Sequence, residues 1–424
     1  MCAPDPLDVD QNVPAAVGVF LGRTLERRLE EAAAMDSVFA ADIAGRVARF
    51  TLTGGRRLRS QFLWWAMRGC GGGAREAPRA LGVAAALELI QSCALIHDDV
   101  MDGSPLRRGR PAVHVGIDGQ YDTGGHPLPC GTFGAAAAVL AGDLALAWAD
   151  DAFAESVRGA PAERRAAEVW RAMRAEMVAG QYLDLQAQVT NVRSRSRAVR
   201  TAVLKTALYT VGHPLALGAV LAGARERTVL ALREAGRSAG LAFQLHDDVR
   251  GAFGDPARTG KPVGEDVREG RTTFLLAAAR DLCERRGDRA GLRLLDEVTG
   301  DPGARARDVD RVLDLLVACG ARDEVARRVE ELCARGAEAV ADAGLSPDAA
   351  DRIGRLLYGA CGLGPAAGAA SPPGGVRDTA DTAATACPPG APGTGASSCS
   401  TATPTAASTA TATTTDTVLI GETR

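Results

Sequence analysis

The chain repeats one short acidic motif. The tetrapeptide His97-Asp98-Asp99-Val100 recurs as His246-Asp247-Asp248-Val249, and each copy follows a largely apolar stretch that is compatible with a helix. Carboxylates at the end of an apolar helix are costly to desolvate unless a cation lies beside them. The repeat therefore predicts two acidic walls that face one another across a cavity holding divalent metal ions.

Composition favours a helical fold. The 424 residues are 46% hydrophobic and only 4% aromatic, and the helix formers Ala and Leu are abundant while strand formers are scattered. Because the two acidic motifs imply one shared site, we predict an all-α protein, a large single helical bundle with a central cavity. The net charge of −3 argues against a nucleic-acid partner, since nucleic-acid-binding domains are normally basic.

Helical periodicity is clearest in residues 83–100, 135–157, 162–188 and 229–246, all within a predicted domain of residues 13–361. The Gly-rich residues 116–134 are expected to form an extended mobile loop. Outside the domain, we predict disorder for the acidic residues 1–12. The same holds for the Ala-, Thr-, Pro- and Gly-rich tail 362–424, which has too little apolar surface to offset the entropy of ordering.

The longest uncharged run, residues 206–224, is nominally long enough to span a membrane. Gly212, His213 and Pro214 lie in its middle, so a buried core helix is the favoured interpretation. The N-terminal residues lack the basic-then-apolar pattern of a secretory signal. We therefore expect a cytoplasmic protein with reduced cysteines and no transmembrane segment.

The first acidic block reads D-D-x-x-D, with Asp98, Asp99 and Asp102. Positions i and i+4 of a helix share a face, so Asp98 and Asp102 are placed to share metal ions, with Asp99 alongside. Carboxylate oxygens without a nearby Cys favour Mg²⁺, which pairs naturally with a phosphate-bearing substrate. Acidic surface faces and helix caps also produce this pattern, but the preceding apolar run argues against a solvated face.

Basic clusters flank the first acidic block. Arg107 and Arg108 follow it, and the segment Gly54-Gly55-Arg56-Arg57-Leu58-Arg59 precedes it. Guanidinium groups bind phosphate oxygens in a bidentate manner, and several of them together would hold a diphosphate. Each cluster taken separately is more often a surface patch. Their order relative to the acidic blocks favours a diphosphate site.

Lysine is the rarest basic residue, since 47 of the 49 basic residues are arginines. Lys261 follows the second acidic pair, Asp247 and Asp248, in a loop marked by Gly and Pro. Lys205 lies among apolar neighbours at the start of the uncharged run. Chance survival in an arginine-biased sequence would explain either lysine alone. Together they indicate two compact ammonium groups aimed at one cavity.

Five segments resemble, in order, the motifs of the trans-isoprenyl diphosphate synthases, the polyprenyl synthetase family. They are GGRRLRS, HDDVMDGSPLRRGRP, GQYLDL, KT at 205–206 and FQLHDDVRGAFGDPARTGKP. The likeness covers about residues 15–361 and implies an all-α isoprenoid synthase fold and a homodimer. It also implies Mg²⁺-dependent ionisation of an allylic diphosphate, attack by isopentenyl diphosphate and loss of a proton.

The resemblance implies roles for the matched residues. Three Mg²⁺ ions would be bound by Asp98, Asp102 and Asp247, supported by Asp99 and Asp248. The allylic diphosphate would be held by Arg107, Lys205 and Lys261. Isopentenyl diphosphate would be held by Gly55, Arg56, Arg59 and Arg108. The region where the allylic cation forms would be lined by Gln181, Thr206 and Gln244. The histidines of the repeat, His97 and His246, would either orient a carboxylate or serve packing.

Two small residues before the first Asp bear on product length. In the family, the positions four and five residues before that Asp form the floor of the elongation pocket, here Ala94 and Cys93. Their size predicts geranylgeranyl diphosphate as the product, with Ile90 and Leu89 as the next obstacles. Farnesyl or longer polyprenyl products are the alternatives.

Departures from the family pattern are few. Gly251 stands where many members carry a third Asp, and Arg56 and Ser60 replace the usual Lys and Pro. We expect retained activity with altered metal affinity. A class I terpene cyclase is a rival, but the Asn/Ser/Glu metal motif of cyclases is absent from the sequence. A non-catalytic synthase subunit is a second rival, but it would be expected to have lost motifs that this chain keeps.

Overall fold

A computed structural model describes residues 4–121, 128, 131–190, 193–255, 263–301 and 303–364. These residues form a helical bundle with one short hairpin, so the predicted all-α fold is confirmed. Lys261 and the tail from residue 365 onward lie outside the described residues, and the predictions made for them are not tested.

The helices of the first half include a short π-helical segment, π1. They are α1 (Pro6–Gln11), α2 (Val13–Met35), α3 (Ser37–Phe39), π1 (Ala40–Ala44), α4 (Gly45–Leu52), α5 (Leu58–Gly69), α6 (Ala77–Met101), α7 (Val113–Tyr121), α8 (Phe133–Val157) and α9 (Glu163–Thr190). Between α6 and α7 lies a hairpin of β1 (Leu106–Arg107) and β2 (Arg110–Pro111), in which Leu106 pairs with Pro111 and Arg107 with Arg110.

The second half contains a longer π-helical segment, π2. Its elements are α10 (Arg195–Ala202), π2 (Val203–Gly212), α11 (His213–Leu221), α12 (Glu226–Phe253), α13 (Glu265–Arg268), α14 (Phe274–Arg286), α15 (Arg289–Val298), α16 (Ala306–Ala318), α17 (Ala321–Asp342) and α18 (Pro347–Ala360). The four segments with clear helical periodicity correspond to α6, α8, α9 and α12, which confirms those predictions.

Helix α6 lies at the centre of the bundle. Its residues from Leu81 to Ile90 are all buried, because the segment is apolar around its whole circumference apart from Glu88. It packs chiefly on α8, with α5 and α2 on other sides, while α12 packs on α17 and π2. The acidic blocks therefore stand at the C-terminal ends of two core helices.

Helices α6 and α8 are long and apolar enough to cross a membrane, by length and composition alone. In α6, 78% of the apolar window is buried inside the bundle, whereas in α8 the share is 44%. The uncharged run 206–224 is buried through π2 and α11, which confirms the core-helix interpretation. Part of the apolar surface of α8 faces outward instead.

Glycines let π2 approach its neighbours closely. A Cβ at Gly180 of α9 would collide with the backbone of Lys205, and one at Gly240 of α12 would collide with the backbone of Ala207. Because neither position carries a side chain, π2 lies wedged between α9 and α12. This packing fixes the backbone from which Lys205 extends.

Two predictions of irregular structure were wrong. Pro6–Gln11 form helix α1, although residues 1–12 were expected to be disordered. The helix is held because Asp10 accepts hydrogen bonds from Trp64 Nε1 (2.8 Å) and from Arg68 Nε (3.1 Å) and Nη2 (2.9 Å), while Val9 is buried. Residues 116–121 of the expected loop belong to α7, where Ile117 is buried, and residues 133–134 begin α8. Residues 122–127, 129 and 130 of that stretch lie outside the described residues, so the prediction is not tested there.

Replacing Asp10 with Ala should lower the free energy of unfolding by about 2 kcal/mol, because Trp64 and Arg68 lose a charged acceptor. Chemical denaturation monitored by circular dichroism measures this. Asp8→Ala is the control, since Asp8 lies on the same helix but is exposed, and we expect it to cost at most about 1 kcal/mol. Equal effects of the two substitutions would contradict the proposed anchoring role.

Candidate active site

The first acidic wall is almost completely buried. Asp98 and Asp99 lie in the last turn of α6 and Asp102 caps it. The side chains of Asp98, Asp99 and Asp102 are 17%, 0% and 4% exposed. Carboxylates this buried need compensating partners. Each of the three has an arginine or lysine beside it.

Asp98 is the most heavily contacted carboxylate. Its Oδ1 accepts hydrogen bonds from Lys205 Nζ and Gln181 Nε2, both at 3.2 Å, and its Oδ2 accepts one from Arg107 Nη2 at 3.2 Å. Burial would raise the pKa of Asp98, but Lys205, Arg271 and Arg107 together hold it below its usual value. The carboxylate is therefore ionised and oriented toward the cations.

Arg107 also binds Asp99, with Nε donating at 2.8 Å. Burial nevertheless raises the pKa of Asp99. The Oδ2 atom of Asp99 is buried without a hydrogen-bond partner among the described residues. Asp99 thus positions Arg107 at the edge of the site, consistent with the supporting position predicted for it.

Arg271 links the first acidic block to two carboxylates that follow the second block along the chain. It forms ion pairs with Asp102 of the first block and with Glu269, and its Nε lies 3.6 Å from Asp266 Oδ1. Burial would lower the pKa of Arg271, but these carboxylates raise it. The residues between Lys261 and Phe274 therefore contribute an arginine that reaches back to the end of α6.

The second acidic wall differs from the first. Asp247 is 55% exposed, and among the described residues its ion-pair partner is Arg250, whose Nη1 lies 3.7 Å from Asp247 Oδ1. Asp248 is buried and accepts a hydrogen bond from Gln244 Nε2 at 2.8 Å. Burial, reinforced by Asp266, raises the pKa of Asp248 well above its usual value. Gln244 therefore supports this wall directly.

A carboxylate from another helix lies close to Gly251, the position at which the second motif lacks its third Asp. A Cβ added at Gly251 would lie 3.1 Å from Asp266 Oδ2. The carboxylate of Asp266 thus approaches the point where a side chain at position 251 would begin. The wall has one fewer carboxylate on α12 but gains one from α13.

Lys205 extends from π2 between two carboxylates. Its Nζ donates to Asp184 Oδ2 at 2.7 Å as well as to Asp98. Burial would lower the pKa of Lys205, but Asp184 and Asp98 raise it above its usual value. The ammonium group is therefore charged, as the sequence predicted, and Thr206 beside it lines the same cavity.

The basic blocks contain the two described non-glycine residues with positive φ, Arg57 (50°) and Arg108 (53°). Such backbone is strained for side chains with a Cβ and is concentrated at functional sites. Arg57 Nη1 lies 3.8 Å from Glu88 Oε2, and the same glutamate accepts a hydrogen bond from Ser60 at 2.7 Å. Ser60, at the position of the family's Pro, therefore helps to hold this buried carboxylate.

The residues predicted to hold the second diphosphate lie around the ends of α4 and α5. Arg59 Nη2 donates to Thr210 Oγ1 at 3.0 Å and its guanidinium stacks over the Tyr209 ring at 4.4 Å. Arg108 Nη1 donates to the carbonyl of Thr53 at 3.2 Å, and Arg56 Nη1 donates to the carbonyl of Gly359 at 3.3 Å. Gly55, which precedes Arg56, has open space at its Cβ position.

A cavity of about 1160 Å³ extends from these charges into the bundle. Asp98, Gln181, Lys205 and Thr206 line it, together with Cys93 and Ala94 as predicted for the elongation pocket. The expected deeper obstacles, Ile90 and Leu89, are fully buried in the core and do not line it. Beyond Ala94, the lining continues instead through Leu146 of α8 and through Ala175, Arg174 and Arg171 of α9.

Three functional residues were not singled out from sequence. Asp184 pairs with Lys205. Its position one helical turn after Gln181 on α9 could have indicated that it faces the same site. Arg271 pairs with Asp102 across the chain, which no local spacing indicates. Gln91 lines the cavity with a buried Oε1 that has no hydrogen-bond partner among the described residues. A lone amide within an apolar helix was the available signal for Gln91.

The histidines of the repeat serve packing. His97 Nε2 lies 3.0 Å from the carbonyl oxygen of Val139 on α8, where Gly142 leaves room for the ring. His246 packs against Gly362. His97 Nε2 also lies 3.7 Å from Asp143 Oδ1 on α8. Among the described ion pairs, neither histidine is paired with a carboxylate of the acidic motifs, so the contacts favour packing over orienting those carboxylates.

The donor set suits magnesium, since the available ligands are carboxylate oxygens. Across the described ranges, no three Asp, Glu, His or Cys side chains already surround one point that could hold a metal ion. Lys205, Arg107 and Arg271 instead stand against Asp98, Asp99 and Asp102. Asp98 lines the cavity. Asp102, four residues further along and on the same helix face, is the second carboxylate of this wall that would hold the ion.

Several known proteins are similar to this chain in sequence and in fold. The polyprenyl synthetase family model matches residues 42–316. A geranylgeranyl diphosphate synthase of Mycobacterium tuberculosis is 32% identical over 297 residues, covering 69% of this chain and 77% of that protein. A geranylfarnesyl diphosphate synthase of Aeropyrum pernix is 32% identical over 287 residues, covering 66% and 81%. The structure of a geranylgeranyl pyrophosphate synthase from Corynebacterium glutamicum, complexed with isoprenyl diphosphate and magnesium, aligns with a TM-score of 0.77 at 33% identity, covering 82% and 98%.

Replacing Arg271 with Gln should lower the metal-free stability by about 3 kcal/mol, because Asp102 would remain buried without its cation. Added Mg²⁺ should restore most of the loss. Thermal unfolding in EDTA and in Mg²⁺ measures both effects. Arg268→Gln is the matched control, since Arg268 donates to the carbonyl of Val263 rather than to the acidic wall. A loss that Mg²⁺ does not reduce would contradict this assignment.

Proposed function

Since the chain belongs to the polyprenyl synthetase family and is a trans-prenyltransferase, we propose that it condenses isopentenyl diphosphate with an allylic diphosphate to give geranylgeranyl diphosphate. The observation that carries this proposal is the charge arrangement around Asp98 at one end of a long, largely apolar cavity. A diphosphate needs the charges, and a growing hydrocarbon chain needs the apolar depth.

The cations retain donors for a substrate. Lys205 donates to Asp98 and Asp184, which leaves one N–H of its three. Arg107 uses Nε and Nη2 on Asp98 and Asp99, which leaves Nη1 without a described partner. We propose that these donors, with Lys261, neutralise the leaving diphosphate as the allylic C–O bond ionises.

Magnesium, for which we propose three ions, would supply Lewis-acid stabilisation of the diphosphate when bound by Asp98, Asp102 and Asp247. The support is the set of carboxylate oxygens in the two acidic walls and the presence of magnesium in the related Corynebacterium structure. Asp99 and Asp248 would hold neighbouring groups in position, Arg107 in one case and Gln244 in the other.

The second substrate would be bound by the basic residues of the other block. Gly55, Arg56, Arg59 and Arg108 lie around the ends of α4 and α5, and Arg59 and Gln91 both line the cavity. We propose that they orient the alkene of isopentenyl diphosphate toward the cation, beside Thr206 and Gln181. The departing diphosphate would then accept the proton, so no nucleophilic side chain is required.

The length of the product follows from what lines the cavity. Cys93 and Ala94 are small and place no ring of their own in the cavity, which Tyr182 and Tyr209 also line. The cavity follows α9 from Gln181 back to Arg171. These residues are ten positions apart, which corresponds to a depth of about 15 Å at the rise of an α-helix. The names of the Mycobacterium and Corynebacterium relatives support geranylgeranyl diphosphate, while that of the Aeropyrum relative keeps a longer product as the alternative.

We also propose a homodimer. Val178 and Tyr182 of α9 line the cavity yet are 62% and 65% exposed, and Leu140 of the neighbouring α8 is equally exposed. A single chain thus leaves an apolar wall of the cavity open to water. A second copy covering this face would bury that apolar surface and close the wall.

The cytoplasm is the proposed location. The cysteines within the described residues are free thiols, which supports a reducing compartment. Of the two helices of membrane-spanning length, α6 has the more apolar window, and most of that window is buried by the bundle itself.

Incubating the protein with Mg²⁺, isopentenyl diphosphate and allylic primers of increasing length tests the reaction. Lys205→Gln should lower the turnover number on the order of 10²-fold, because a preorganised charge on the leaving diphosphate is lost. Arg200→Gln, on an exposed position of α10, is the control and should keep wild-type turnover. No condensation with any primer would overturn the proposal.

Replacing Cys93 and Ala94 with Phe should shorten the main product, because the rings would fill the cavity between Asp98 and its deeper end. Chromatography of the dephosphorylated products measures the change. Ser at both positions keeps the side chains small and should leave the product distribution nearly unchanged. An identical distribution in the Phe and Ser variants would refute the pocket assignment.

A further inference from the structure

A second cavity lies beside the arginine hairpin. It has a volume of about 300 Å³ and is lined by Phe50 and five arginines, Arg46, Arg49, Arg107, Arg108 and Arg110. We call it the arginine cleft. The arginines come from three elements, α4, the β1–β2 hairpin and its turn. None of the residues that line the cleft is acidic.

Most of these cations lack a counter-charge. Only Arg107 forms an ion pair with a described carboxylate, whereas Arg46, Arg49, Arg108 and Arg110 form none. Arg46 donates to the carbonyl of Asp42 and to Gln120, and Arg108 donates to the carbonyl of Thr53. The guanidinium groups of Arg49 and Arg110 form no hydrogen bond with a described residue.

The backbone holds the arginines together. Arg108 and Gly109 both have positive φ (53° and 71°), as the two central residues of a tight hairpin turn require. This turn pairs Arg107 with Arg110 and directs Arg108 back over the Phe50 ring, 5.5 Å away. Glycine would adopt this turn more easily at position 108, so the strained arginine points to a role for its charge.

Electrostatics favours an anion in the cleft. Burial lowers the pKa of Arg46 and of Arg108. Neighbouring arginines lower each further, and the opposing effects of Asp42 on Arg46 and of Glu88 on Arg108 do not reverse the direction. Like charges gathered in a cavity raise the local concentration of anions, and guanidinium groups bind phosphoryl oxygens in a bidentate manner. A compact, multiply charged ligand would relieve the repulsion best.

We propose that the arginine cleft binds a diphosphate group at a third position, which shares Arg107 and Arg108 with the two substrate positions and adds Arg46, Arg49 and Arg110. The volume is at the lower end for ligand pockets, which suits a small polyanion rather than a long prenyl chain. Arg56, Arg59 and Lys205, which serve the substrate positions, do not line it. The ligand would be either inorganic diphosphate or the headgroup of a short prenyl diphosphate.

The cleft also couples to the reaction, a step that rests on the proposed function. Arg107 and Arg108 line the cleft and are also the arginines assigned to the two substrates. A diphosphate in the cleft engages both guanidinium groups and draws them from the substrates. Occupancy therefore inhibits condensation, and high concentrations of isopentenyl diphosphate or of released diphosphate lower the rate.

Equilibrium binding in EDTA tests the site without requiring turnover. Isothermal titration with inorganic diphosphate should show one fewer bound ligand per chain, or at least about tenfold weaker binding of one ligand, in the double variant Arg49→Gln/Arg110→Gln. The control Arg285→Gln/Arg335→Gln removes two exposed arginines of α14 and α17 that line neither cavity. It should bind like wild type.

The same titration with isopentenyl diphosphate and with orthophosphate distinguishes the sources. Loss of binding confined to inorganic diphosphate identifies the released product as the ligand, and loss with both diphosphates identifies the headgroup. Equal losses with orthophosphate, or equal losses in the control, would show general charge attraction and overturn the assignment. Unchanged binding in the cleft variant would also overturn it.

Arginine footprinting gives a readout on the unmodified protein. Diphosphate should protect Arg49 and Arg110 from phenylglyoxal at least about fivefold more than Arg285 and Arg335, because bidentate binding covers both guanidinium nitrogens. In initial-rate assays, inhibition by high isopentenyl diphosphate should disappear in the cleft variant while its rate at low substrate is kept. Binding without inhibition would refute the coupling but leave the condensation activity standing. Equal protection of all four arginines would refute the site.

Discussion

The compensation of one buried carboxylate, Asp98, organises the site. Three donors from three elements converge on it, Lys205 from π2, Arg107 from the hairpin and Gln181 from α9. Withdrawing any cation would leave a buried charge partly unpaired, at a cost of several kcal/mol, of the order of 3–5. The positions of these elements relative to α6 are therefore tied to the electrostatics at its end. In the first wall, three buried carboxylates are paired with three cations. This pairing allows the carboxylates to stay ionised inside the folded protein.

The backbone around this site contains a close helix–helix contact and two residues in strained conformations. Gly180 lets π2 press against α9, which brings Lys205 within reach of both Asp184 and Asp98. On the other side, Arg57 and Arg108 hold left-handed backbone at the ends of the basic blocks. Strained residues persist where the surroundings over-determine them. Here the surroundings are the Glu88 carboxylate for Arg57 and the Phe50 ring for Arg108.

Sequence reasoning reached the residue types of the site because charge in an apolar context has few physical explanations. It anticipated Asp98, Lys205 and the small residues Cys93 and Ala94 that line the cavity. It missed Arg271 because a partner 169 residues from Asp102 leaves no periodic trace. It misjudged α1 because the helix depends on Asp10 meeting Trp64 and Arg68, and such tertiary contacts are not written in local composition.

The two copies of His-Asp-Asp-Val therefore differ in their burial and in their partners. The first wall is buried and matched by cations, whereas in the second Asp247 is exposed and Asp248 is buried beside an amide. Asp266 stands close to Gly251, so the acidic charge absent from α12 is supplied by a neighbouring helix. Arg271 contacts both Asp266 and Asp102, so it ties the segment that follows α13 to the first wall. An Asp at 251 would crowd a second carboxylate against Asp266, and like charges at that separation repel. Gly251 thus avoids repulsion with Asp266. The two acidic walls differ because the second takes this carboxylate from α13 instead of from α12.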